Sequence, residues 1–93
     1  MYTSLIRYGN LLKKWVKLDL FYLGKSKKNE IFRTKKWIRG KDEIIFKKPV
    51  FDENYEKIGY IKEIFGPIEL PFISIKTIPD KELNPNSILY AKV

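Results

Sequence analysis

The sequence predicts an all-β fold, a small antiparallel barrel of six or seven short strands. Three observations carry this expectation. Short apolar runs rich in Ile, Leu, Phe and Tyr recur at close spacing from Leu18 to the C-terminus. Clusters of Gly, Pro, Asn, Asp and Lys separate them, and those residues punctuate turns. Residues 72–78 alternate with the period of two that a half-buried strand requires: Ile73, Ile75 and Thr77 on one face, Phe72, Ser74 and Lys76 on the other.

Residues 1–17 stand apart as an N-terminal extension to a barrel domain over 18–93. Leu5, Tyr8, Leu12 and Trp15 suit one face of a helix, but Gly9-Asn10 disfavours it. A strand over 5–16, bent at that pair, is the competing reading. From Leu18 the alternation to Leu23 predicts a strand that Gly24 and the Lys-rich cluster after it end. A second strand spans 30–33, and Lys36-Trp37-Ile38 either extends it or begins another. Gly40-Lys41-Asp42 is a turn, followed by the apolar run Ile44-Ile45-Phe46. Pro49-Val50-Phe51 leads into the turn Asp52-Glu53-Asn54. Residues 58–65 form a strand in which Gly59 marks a bulge or a close backbone approach. A connection punctuated by Pro67 and Pro71 leads to the alternating strand, residues 79–85 form a polar loop, and 88–91 make the last strand.

Composition narrows the chemistry. The 93 residues suffice for one domain. With no Cys and no His there is no thiolate or imidazole to hold a metal, no disulfide and no Cys- or His-based nucleophilic catalysis. No metal or cofactor is expected, though a carboxylate-only site stays open. No apolar run reaches the ~20 residues that span a bilayer, and the N-terminus does not resemble a secretory leader. The expectation is a soluble, cytoplasmic protein.

The net charge is +8, and residues 1–49 hold 14 Lys/Arg against 4 Asp/Glu. A basic half suits RNA phosphate or an acidic partner, and equally a solvated lysine surface. Lys outnumbers Arg 16 to 3, which disfavours base-specific readout. Lys13, Lys14, Lys35, Lys36 and Arg39 flank Trp15 and Trp37 and are the candidate RNA contacts, since single-strand binders combine aromatic faces with cations. The competing role for both Trp is core or core edge. The acids are scattered, and Asp42-Glu43 and Asp52-Glu53 read as turn chemistry, so an enzyme is not expected.

The third constellation is the proline-bounded connection. Pro67 and Pro71 stiffen it and push Gly66 and Leu70 toward extended conformations. It carries Ile68 and Leu70, flanked by Phe65 and Phe72. Such a frame either plugs one end of a barrel or presents an apolar protein-binding patch.

At this point the sequence resembles a known family. Val50-Phe51-Asp52, Ile58-Gly59, Ile61, Glu63-Ile64-Phe65-Gly66-Pro67-Ile68, Pro71-Phe72 and Ser74-Ile75-Lys76 look like the signature of the GAR-type subunit of box H/ACA ribonucleoproteins. Ile88-Leu89-Tyr90 resembles that family's final strand, and Phe32-Arg33-Thr34 and Gly40-Lys41-Asp42 fit its earlier part. The resemblance covers about residues 18–92. It implies a six-stranded β-barrel akin to barrel domains of translation factors and a non-catalytic role in ribosome biogenesis. Such a subunit docks on the pseudouridine synthase of a complex that pseudouridylates rRNA chosen by a guide RNA. It aids substrate loading and release, and meets guide and substrate RNA mainly indirectly. Partner-binding residues would be Phe65, Gly66, Pro67, Ile68, Leu70, Pro71 and Phe72. The chain lacks the glycine–arginine-rich tails of eukaryotic members and so looks like the archaeal form. The alternative is a stand-alone basic β-barrel that binds RNA through residues 13–48.

Overall fold

The computed structural model of the protein describes residues 15–93. Seven strands form one antiparallel sheet: β1 (Trp15–Leu18), β2 (Leu20–Ser26), β3 (Asn29–Thr34), β4 (Pro49–Phe51), β5 (Lys57–Phe65), β6 (Phe72–Thr77) and β7 (Leu89–Lys92). Their order across the sheet is β1-β7-β4-β5-β6-β3-β2. The all-β expectation therefore holds.

That order places β1 and β2 at opposite ends of the sheet, yet only Asp19 separates them in the chain. Two residues of backbone span at most about 7 Å, whereas seven strands laid flat at ~4.8 Å spacing would extend roughly 29 Å. The sheet must therefore coil far enough to bring the Leu18 end of β1 and the Leu20 end of β2 together at Asp19. The edges are joined by the covalent chain, with no β1–β2 ladder among the described residues. Counted as one bent strand, β1 and β2 give the six strands expected; counted by pairing, there are seven.

The strand expected from Leu18 to Leu23 is thus divided. β1 begins at Trp15, so the boundary drawn between 17 and 18 falls inside a strand. At Asp19 the chain changes neighbours: Leu18 pairs with Leu89 of β7, and Leu20 pairs with Thr34 of β3. The Asp19 carbonyl accepts from the Lys35 amide at 3.1 Å. The readings that concern residues 1–14 lie outside the described residues.

The inner face of the sheet carries the core. Phe32, Val50, Ile61, Ile73, Ile75, Leu89 and Ala91 are buried, joined by Leu18, Ile45 and Ile58. The β3–β6 register pairs Phe32 with Ile73 and Glu30 with Ile75, so β3 and β6 cover the core with the same parity. Each fully buried Ile or Phe contributes roughly 1.5–3 kcal/mol. Gly59 satisfies both of its expectations. The β4–β5 register shifts beside it, and a Cβ there would overlap the Lys76 carbonyl.

Two short runs depart from the strand reading. Lys36-Trp37-Ile38 is irregular, with Trp37 half-buried against the core. Ile44-Ile45-Phe46 belongs largely to a 3-10 helix, Asp42–Ile45, which buries Ile45 and exposes Ile44 and Phe46. Side-chain hydrogen bonds to the segment just before the helix favour this turn. Asp42 Oδ2 accepts from the Ile38 amide at 2.6 Å, and Glu43 Oε1 from the Gly40 amide at 2.7 Å. Such local bonds favour turns over ladders.

Candidate protein-docking surface

The proline-bounded connection joins β5 to β6, and the pair Phe65↔Phe72 closes it. The two rings lie 5.5 Å apart, tilted by 36°. Gly66 has φ +87°, a left-handed conformation that glycine tolerates, instead of the extended one expected of a residue before proline. A side chain there would meet the Phe72 ring. At the other end Pro71 is buried. Its carbonyl accepts from the Thr34 amide at 3.1 Å and from Thr34 Oγ1 at 2.9 Å. The loop is therefore pinned at both ends.

Between the pins the apolar surface faces outward. Ile68 is 62% exposed and Phe65 41%, with Gly66 and Pro67 also exposed. Leu70 and Phe72 are half-buried. Of the seven residues expected to meet a partner, Pro71 is corrected: it anchors the loop and offers no accessible side chain. The loop does not plug a barrel end with Ile68, which points to solvent.

The register extends this surface beyond the loop. Phe72 pairs with Arg33 of β3, and Arg33 pairs with Phe21 of β2. Phe65, Phe72, Arg33 and Phe21 therefore form one cross-strand row on the outer face, opposite to Ile73. Phe21 is 56% exposed, and the Lys35 Nζ sits over its ring at 4.6 Å. Sequence reasoning missed Arg33 and Phe21, because their place in the row depends on the strand order.

The candidate RNA contacts are less assembled. Lys13 and Lys14 lie outside the described residues. Lys35, Lys36 and Arg39 are exposed, and Lys35 also lies 3.6 Å from Asp19. Trp37 belongs to the core edge. Trp15 instead joins an outer-face aromatic group, 4.9 Å from Phe51 and 5.2 Å from Tyr55, with Lys92 Nζ 5.2 Å over its ring.

The acids behave as turn and surface groups. Asp52 Oδ1 accepts from the Asn54 and Glu56 amides at 2.8 and 3.0 Å. Glu30 is the exception, buried on the inner face, where it accepts from the Tyr22 hydroxyl at 2.6 Å and lies 3.6 Å from Lys25 Nζ. The hydrogen bond to Glu30 raises the Tyr22 pKa, with desolvation and the carboxylate's charge acting in the same direction. Among the described residues no cluster of acids is arranged to hold a metal, and no helix is long and apolar enough to cross a membrane.

No family model matches the chain. A stretch of 37 residues, 40% of this chain, is 46% identical to an uncharacterized protein of Methanothermobacter thermautotrophicus. The matched stretch spans 38% of that relative's length.

Proposed function

We propose that this protein is a non-catalytic subunit of an archaeal H/ACA ribonucleoprotein, docking on the pseudouridine synthase and aiding RNA-guided rRNA pseudouridylation. The observation that carries this reading is the pinned loop between β5 and β6, which presents Ile68 and Phe65 to solvent on a frame held by Thr34 and Pro71. A pre-ordered apolar patch loses little freedom on binding, so its anchors contribute strongly to affinity. The resemblance of residues 50–76 to the GAR-type subunit supplies the partner.

The test is co-purification with an archaeal synthase subunit, with and without RNA. Ile68→Asp changes an exposed residue, so the variant is expected to fold. It is expected to lose synthase binding, because a buried carboxylate in the interface costs about 2 kcal/mol or more. Unchanged binding would remove the loop from the interface. The second reading, RNA binding by the protein alone, draws on the exposed Lys35, Lys36 and Arg39. It requires salt-sensitive affinity for RNA that falls as these cations are removed.

A further inference from the structure

We propose that the free edge of β2 accepts a strand from a partner protein, an extended segment in which acidic residues alternate with apolar ones. This edge shares Phe21 with the outer-face row but lies away from the β5–β6 loop itself, and the inference does not rest on the docking function assigned to that loop.

The edge is open among the described residues. β2 ends the strand order, and its ladder with β3 uses one side only. Beyond the Leu18↔Leu89 pair, β2 and the chain leading into β7 diverge. Between them lies a groove of about 610 Å³, lined among others by Phe21, Tyr22, Lys35, Pro85 and Ile88. A strand entering here would complete the sheet where its own ladder stops. The rim is apolar: Phe21, Leu23 and Ile88 are 56%, 55% and 40% exposed. Leu23 alternates with Tyr22 onto the same face as Phe21 and is left without a β3 partner by the bulge between Tyr22 and Gly24.

Charge selects the occupant. Lys17 and Lys35 line the groove, Lys25 lies in β2, and Lys27 and Lys28 form the turn that follows it. The nearby acids are Asp19, beside Lys35, and buried Glu30, beside Lys25. Lysines on an edge deter pairing with a like-charged strand. A second copy would bring two sets of lysines together, whereas an acidic strand meets complementary charge. RNA would satisfy the lysines but leave the row of β2 amides and carbonyls unpaired. Strand addition uses that row, with side-chain pockets on alternate residues.

The experiment uses the full chain and a capped hexapeptide of alternating valine and glutamate, followed by amide exchange and chemical shifts in NMR. Slowed exchange is expected at alternate amides of β2, and the valine–lysine counterpart is expected not to bind. Methylating the peptide nitrogens that face the edge should abolish binding; methylating the other set should not. The Lys25→Glu, Lys28→Glu double variant should bind roughly tenfold more weakly or worse. Ile68→Asp, which tests the loop, should leave peptide binding unchanged. Four results would each overturn the proposal: the β2 amides that face away from β3 already protected in the free full-length chain, because a segment of the same chain fills the edge; protection that follows self-association; the same protection from an oligouridylate but not from the peptide; or peptide shifts confined to residues 65–72.

Discussion

Gly59 and Tyr22 show how single residues set local constraints. A Cβ at Gly59 would overlap backbone of β6, which cannot yield as a side-chain tip could. Gly59→Ala is therefore expected to destabilise the protein by about 3 kcal/mol, measured by urea unfolding. The sequence marks this position, because a glycine inside an apolar strand needs a backbone reason. Tyr22 and Glu30 carry no such mark. They meet only once the β2–β3 hairpin has its register, eight positions apart in the chain. Because Tyr22 titrates above its usual value in the folded protein, the unfolded chain loses that proton first as pH rises. Its contribution to stability is complete below about pH 10 and declines as pH climbs toward the raised folded pKa. Tyr22→Phe should flatten that alkaline decline and remove a phenol that titrates above the usual tyrosine value from an ultraviolet titration.

At the scale of elements, the β5–β6 connection depends on a threonine from another strand. Thr34→Val keeps the shape of the side chain but removes the Oγ1 bond to Pro71. A loss of about 1 kcal/mol is expected in urea unfolding, with faster amide exchange confined to residues 66–71. The residues that stiffen the loop are legible in the sequence as its two prolines. The residue that pins it is not, since Thr34 lies 37 positions away. The same limit explains the other departures. Leu18-Asp19-Leu20 alternates as a single strand does, and nothing local says that the pairing partner changes at its middle residue. Ile44-Ile45-Phe46 is too short to reveal a period, and the Asp42 and Glu43 carboxylates, which accept from the Ile38 and Gly40 amides, favour a turn there. The inner positions of β6, Ile73 and Ile75, are legible from its alternation, whereas the burial of Ser74 on the opposite face is not.

Across the whole molecule, β7 holds a central place despite being the last strand. It pairs with β1 on one side and β4 on the other. Removing residues 89–93 is expected to abolish cooperative unfolding and near-ultraviolet dichroism, because two ladders and the buried Leu89 and Ala91 are lost together. The predicted fold class follows from strand count and turn spacing, both local properties. The coiling of the sheet follows from which strands are neighbours, and that is set by long-range packing. The basic first half is legible from charge alone, but which of its lysines come together at one edge depends on the strand order.

The single-residue link at Asp19 also gives the sheet an unusual mechanical character. Most of the ladder could remain intact if that link were cut, since β1 is held by β7 and β2 by β3. A nick there would nevertheless turn a clasped band into an open ribbon. Comparing the nicked and continuous chains would separate the curvature that packing imposes from the curvature that the covalent clasp imposes.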